Sequence, residues 1–237
     1  MISKEAGPRG PASFLSQFEL LDYIWVYFKI KKPIIPNKMK HIKLFTLTAF
    51  LAFAFAFSAL AQLQTPALSP AATVSQVVGF TKISIDYSSP AVRGRQIFGE
   101  IEKYGVTWRA GANLQTTIEF STDVSIAGKN VRAGKYSIFM TPAETGDWTV
   151  HINSKGVWIY NYMKDGKIDE EALAKDDLVS FKATTERGGN TERLVYTISA
   201  NDNKTALVSM AWEAIKVTFP IDTQVDQKME QFQNQIN

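Results

Sequence analysis

The chain predicts an all-β fold: a single jelly-roll-like β-sandwich of about nine to ten antiparallel strands, with one or two short helices and a C-terminal amphipathic helix. Three observations predict it. Apolar side chains alternate with polar ones in short runs, as in Ile83-Ser84-Ile85-Asp86-Tyr87. Turn residues interrupt those runs at the spacing of sandwich strands, and no segment recurs at a fixed period. Within the region of alternation, helical spacing is confined to two short stretches and the tail.

The elements follow in order. Residues 62–72, rich in Pro, Ala and Ser, read as a linker into a sandwich spanning 73–220. Val74, Gln76 and Val78 open the alternation. Ile83, Ile85 and Tyr87 continue it until Ser88-Ser89-Pro90. Residues 91–113 lack it, and Ile97, Phe98 and Ile101 suit one helical turn. The period of two returns with Ile118 and Phe120, then Val124-Ser125-Ile126, a turn at Ala127-Gly128-Lys129-Asn130, and a hairpin of Lys135–Thr141 with Trp148–Ile152. Trp158, Tyr160 and Tyr162 form an aromatic stripe. Asp169 to Lys175 reads as a short helix with acidic residues at its start, as the helix dipole favours. Arg187-Gly188-Gly189-Asn190 and Asp202-Asn203 read as turns between the last strands. Residues 221–237 form the terminal helix, with Val225, Met229, Phe232 and Ile236 at helical spacing behind a Thr223-x-x-Asp226 cap signal.

The formal charge of +3 is unevenly placed. Residues 1–61 hold eight Lys and Arg against three acidic side chains, Glu5, Glu19 and Asp22, whereas the chain from Gln62 onward has 18 basic and 20 acidic groups. The basicity belongs to the leader, so a nucleic-acid partner is not expected. Residues 39–61 have the build of a signal peptide: Lys40, His41 and Lys43, an apolar run from Leu44, and the small-residue site Ala59-Leu60-Ala61. The implied location is periplasmic or secreted, with no membrane span after cleavage. A retained anchor is the alternative. Residues 1–38 read as an upstream extension outside the fold, with Met39 as the start; a genuine cytoplasmic segment is the other reading.

The chain has no cysteine, and after cleavage His151 is its one histidine, so disulfides and structural zinc are not expected, nor any cofactor. No nucleophile-elbow, Walker, dinucleotide or His-Glu-x-x-His pattern occurs, and no catalytic residue is assigned. His151 alternates with Trp148, Val150 and Ile152 and should point away from the core. The Asn203-Lys204-Thr205 triplet fits a glycosylation acceptor, but such triplets arise by chance.

The candidate site is the irregular stretch Arg93–Asn113. Arg93, Arg95 and Arg109 could grip a carboxylate or phosphate, Tyr104 and Trp108 could stack on a sugar ring, and Asn113 could add directional hydrogen bonds. Glu119 completes the set, as an acidic partner. The competing reading is structural: the arginines pin a long loop to its own fold through backbone carbonyls and an acidic partner such as Glu119 or Asp86. Burial decides between the two.

Several stretches taken together resemble a known family: Ser69 to Gln76, Asp86-Tyr87-Ser88-Ser89-Pro90, Arg93-Gly94-Arg95, Tyr104-Gly105, Trp108-Arg109-Ala110-Gly111-Ala112-Asn113, Thr116-Thr117 and Ala133 to Ser137. They resemble DUF2911, a domain of unknown function, over about Ser69 to Phe219. The resemblance implies exported proteins of Gram-negative bacteria, a β-rich domain and no established activity. It brings no catalytic role.

The leading functional expectation is a non-enzymatic binding module for a small or carbohydrate-like ligand at the Arg93–Asn113 loop. The alternative is a structural or interaction protein of the cell envelope, with the tail docking a partner. A hydrolase using Glu119, Asp86 or His151 comes last, since it requires those groups to converge.

Overall fold

The computed structural model describes residues 65–236 continuously, together with Ile42, residues 45–48 and Phe50, which are helical. The expectations for residues 1–38 and for most of the signal peptide fall outside the described residues. Among the described residues no helix is long and apolar enough to cross a membrane. The chain divides into two compact units, Met1–Thr65 and Pro66–Asn237.

Alternation of buried and exposed side chains produces a nine-stranded, mostly antiparallel sheet. Its strands are β1 (Ala71–Val78), β2 (Thr81–Ser88), β3 (Thr117–Phe120), β4 (Val124–Ile126), β5 (Lys129–Val131), β6 (Gly134–Thr141), β7 (Trp148–Asn153), β10 (Asp177–Ala200) and β11 (Thr205–Asp222). They lie in the order β1-β2-β3-β6-β7-β10-β11-β4-β5. β1–β2, β6–β7 and β10–β11 are hairpins of successive strands, and the β4–β5 hairpin is the excursion, carried to the far edge beside β11 at the pair Asp222 and Ser125. A small hairpin, β8 (Met163–Lys164) with β9 (Lys167–Ile168), and helix α1 (Glu170–Asp176) lie between β7 and β10, and α2 (Val225–Ile236) ends the chain. The sheet takes Ala71 and Ala72 from the expected linker and Ile221 and Asp222 from the expected terminal helix.

The two longest strands fold this sheet into a sandwich. β10 pairs with β7 through Asp177–Ala183 and with β11 through Thr184–Ala200, so one strand serves both halves. Arg187-Gly188-Gly189-Asn190, read from sequence as a turn, is instead a bend within β10, where the glycines take φ of +129° and +74°. Opposite it, Glu213 has φ +55° and pairs with Thr191 between two register shifts. The buried positions of β11 are Ala206, Val208, Met210 and Trp212 before this point, and Ile215, Val217, Phe219 and Ile221 after it. The extra residue changes the parity, and the apolar set therefore stays inside on both sides of the bend. Both halves feed one core, in which Ile83, Ile118, Val150 and Trp148 meet Tyr196, Val208, Trp212 and Phe219.

The outer face of β6 and β7 is also covered. Phe139 packs there with Ile159 and Tyr162 of a 3-10 turn (Ile159–Tyr162) and with Leu173 of α1, forming a separate small cluster. His151, beside Phe139 in register, points to this outer face as expected, but it lies beneath the covering segment.

Candidate functional site

The Arg93–Asn113 loop is held by its own backbone. Arg95 donates from Nε to the Val92 carbonyl (2.9 Å) and from Nη2 to that of Ala91 (2.7 Å). Arg93 donates from Nη2 to the Leu68 carbonyl, and its amide donates to the Glu192 carboxylate. Asn113, at φ +56°, donates from Nδ2 to the Ser69 carbonyl, while its own carbonyl accepts from Trp158 Nε1. Ala110, at φ +51°, presents a buried carbonyl that accepts from both Tyr196 (2.9 Å) and Thr116 (3.1 Å). These bonds fix the segment leading into β1 and the turn of the Trp-Arg-x-Gly-Ala-Asn motif.

The aromatics divide. Trp108 is 5% exposed, exchanges backbone hydrogen bonds with Met140, and sends its indole into the core against Phe98 and Trp212. Tyr104 packs its ring over Gly99, where an added Cβ would meet Cε2 at 2.8 Å. Glu119 lines a shallow groove elsewhere, with Lys82, Ser84 and Ser121. Asp86 is tied to Lys135 (2.8 Å) and Thr73, which hold its carboxyl below the ordinary aspartate value. Neither carboxylate is a partner of His151, so the convergence required of the Glu119, Asp86 and His151 hydrolase is not formed.

Of the residues picked from sequence, Arg109 and Trp108 reach the main cleft. This cleft, of about 480 Å³, runs between Glu102–Arg109 and the Ile159–Glu170 segment. Alternation puts Arg109 on the opposite side from the Trp108 indole. Arg109 donates from Nη1 to the Tyr160 hydroxyl (2.9 Å), its guanidinium carbon lies 5.7 Å from the Tyr160 ring centroid, and its buried Nε has no acceptor in the protein. Tyr160 meets Trp158 edge to face at 4.7 Å, so the two form a half-exposed aromatic shelf. Glu102 shares the cleft; burial pushes its carboxyl above the ordinary glutamate value, and the nearby Arg109 charge draws it partly back. Val106, Ile159, Met163 and Ile168 supply the apolar wall.

Glu170 stands at the cleft's edge and is fixed from below. Its Oε1 accepts from the Thr107 amide (3.0 Å) and its Oε2 from the Thr107 hydroxyl (2.7 Å). Thr107 Oγ1 lies 2.6 Å from Thr141 Oγ1, which lies 2.9 Å from His151 Nε2. His151 Nδ1 is 2.7 Å from Asp177 Oδ2, and the other oxygen of Asp177 accepts from Asn153. Glu102, Thr107, Thr141, Tyr160, Glu170 and Asp177 were not picked from sequence. The available signal was His151 on a polar strand face, with diagonal and cross-strand neighbours that an apolar 3-10 turn and α1 had to cover.

Among the described residues no group of three or more His, Asp and Glu side chains is arranged to hold a metal ion. A family model, "Protein of unknown function (DUF2911)", matches residues 69–221. The chain belongs to the DUF2911 family. The match begins at Ser69, whose carbonyl Asn113 holds, and ends at Ile221 near the close of β11. α2 lies beyond this DUF2911 region. Comparison with curated proteins and with solved structures gives no match.

Proposed function

We propose that this DUF2911 protein is a binding module for a small ligand, and that the ligand sits in the cleft between Glu102–Arg109 and Ile159–Glu170. The observation that carries this is the pairing of Arg109 with Tyr160 in a mostly apolar cleft, with a buried guanidine nitrogen that no protein acceptor satisfies. The half-exposed Tyr160 ring beside two cations, Arg109 and Lys167, and two carboxyl groups suits a carbohydrate-like molecule: Tyr160 and the apolar wall take its apolar face, and the polar groups take its hydroxyl or carboxylate oxygens. Arg93, Arg95 and Asn113 are exposed, but each donates to a backbone carbonyl of its own fold, and they belong to the scaffold in this reading. The ligand-facing part of the loop is its second half.

The test is a thermal-shift panel of neutral saccharides and small anionic metabolites. A binder should raise the wild-type melting temperature and lose that effect in Arg109→Ala and Tyr160→Ala, while an Arg93→Ala variant keeps it. A panel in which no compound stabilises wild type more than Arg109→Ala refutes the reading.

A second reading, an interaction protein of the cell envelope, is favoured by α2. Its Phe232 and Ile236 are 51% and 85% exposed, and Phe232 touches Phe80, itself exposed on the β1–β2 turn. Sedimentation of wild type against Phe232→Asp distinguishes a self-association surface from an uncommitted one. Both readings place the protein outside the cytoplasm, on the strength of residues 39–61. A mature amino terminus at Gln62, found by mass spectrometry of a periplasmic fraction, would support that.

A further inference from the structure

The side chains from Asp177 to Glu170 form one unbroken line of hydrogen bonds: Asp177, His151, Thr141, Thr107, Glu170. Each hydroxyl in that line has one proton to give. Carboxylates close both ends, and an ionised carboxylate only accepts. With both carboxyl groups ionised, Thr107 donates to Glu170, Thr141 must donate to Thr107, and His151 must donate from Nε2 to Thr141. His151 must also donate from Nδ1 to Asp177. Every bond is then satisfied only by the doubly protonated imidazolium. With Asp177 still ionised, the other fully satisfied arrangement has the same number of protons but runs the opposite way. Glu170 is protonated and donates to Thr107, Thr107 to Thr141, and Thr141 to the bare Nε2 of a neutral His151.

The two arrangements differ by the position of one proton. We propose that the cleft is a general acid–base site in which Glu170 gives and takes a proton through Thr107 and Thr141, with the His151–Asp177 pair as its internal reservoir. In the forward direction the Nε2 proton of His151 passes to Thr141 Oγ1, the hydroxyl proton of Thr141 to Thr107 Oγ1, and that of Thr107 to Glu170 Oε2. One proton leaves the imidazolium, one arrives on the carboxylate, and both threonines are restored. Asp177 keeps its charge and holds the ring, as the carboxylate of a hydroxyl–imidazole–carboxylate triad does. Glu170 would be the group that touches a ligand; the two threonines and His151 act through it.

The burial of the line supports transfer over a merely structural role. The His151 and Asp177 side chains are 12% and 5% exposed and Thr107 is 2% exposed, while Thr141 is partly buried and Glu170 exposed, so the line is shielded at its inner end and opens to the cleft at Glu170. The groups facing His151 are few. Thr141 of β6, Asp177 and Ser180 of β10, and Asn153 of its own strand surround it, with Asp176 one residue from Asp177 and engaged by Tyr162 and Lys155. A ligand whose reacting atom loses or gains a proton at Glu170 is the substrate class this arrangement serves. That role rests on the cleft-binding reading; the relay itself does not.

Nuclear magnetic resonance of the unliganded full chain tests the relay, with the nitrogens of His151 and the side-chain carboxyl of Glu170 followed across pH. In wild type the ring and the carboxyl should behave as one pair, each nucleus reporting the same two macroscopic steps, and between those steps both ring nitrogens should carry protons in the share of molecules whose Glu170 is ionised. Thr141→Val should leave each group with a single step of its own, and Thr141→Ser should restore the shared steps. Independent titrations in wild type, or a bare Nε2 beside an ionised Glu170 between the two steps, overturn the proposal. So does a Thr141→Val protein that keeps the shared steps. If Thr141→Val does not fold, the wild-type ring state still decides. Because no ligand is used, failure here leaves the thermal-shift result untouched, and failure there leaves the relay standing.

Discussion

Ala110 and Gly111 show how half of a conspicuous motif can serve the fold while Arg109, beside them, faces the cleft. A Cβ on Gly111 would stand 2.5 Å from Thr116 Oγ1, the same hydroxyl that donates to the Ala110 carbonyl. Gly111→Ala should therefore cost about 1–3 kcal/mol by overpacking, read from urea unfolding. Combining it with Thr116→Ala should cost less than the sum of the two, because the second change removes the obstacle while Tyr196 still satisfies Ala110. Glu102 gives a pH-dependent counterpart. Burial raises its folded value above the ordinary 4.5, so ionising it is harder in the folded than in the unfolded chain. That penalty is full above the folded value, shrinks as pH falls through it, and is gone below the unfolded value. Glu102→Gln should accordingly be more stable than wild type at pH 7, and the gap should close in unfolding curves recorded at 4.5 and below.

At the scale of elements, the parity change in β11 makes a sharp demand on chain length. Deleting Glu213 removes the residue that absorbs it, and either half must then turn its apolar set outward: Ile215, Val217 and Phe219, or Val208, Met210 and Trp212. The deletion also removes the carboxylate that accepts from the Ile97 amide. Loss of cooperative unfolding and of amide dispersion is the expected result, and a well-dispersed spectrum from the deletion would contradict this account of the bend. The same bend marks where sequence stopped being legible. Alternation marked Ile83 and Ile85 of β2, Ile118 and Phe120 of β3, and Trp148, Val150 and Ile152 of β7 as one-faced sets, and all are buried, because period two is a local property and burial follows it. Whether Gly188-Gly189 reverses the chain or only bends it depends on the pairing partner, Glu213 at φ +55°, which is remote in sequence. For the site the division is similar. Arg109 stood out by residue type, whereas Glu102, Glu170, Thr141 and Asp177 are common surface residue types, and only the fold brings them to the cleft or to His151.

The sandwich as a whole is tied together at Phe98, one residue of the irregular loop. Its ring lies 4.7 Å from Trp148 of β7, 5.7 Å from Trp212 of β11 and 6.1 Å from Trp108 of the loop, all edge to face, and it is 2% exposed. Trp148 and Trp212 stand on the two halves of the folded sheet, so a loop side chain fills the joint between them. β10, shared by both halves, couples them through the backbone as well. Two independent couplings imply that neither half unfolds alone. Phe98→Ala should cost about 3–5 kcal/mol, as expected for emptying a buried aromatic site. It should do so without separating the halves: fluorescence of a Trp25→Phe, Trp158→Phe background, whose remaining tryptophans stand at the joint, and far-ultraviolet circular dichroism, which reports the strands, should shift together to a lower urea midpoint. If the fluorescence transition instead moved ahead of the dichroism, the joint would open before the sheet, and the loop would be an appendage to the sandwich, not its internal wedge. Coincident curves would make Phe98 part of the core it closes, so that the loop folds as one unit with both halves of the sheet.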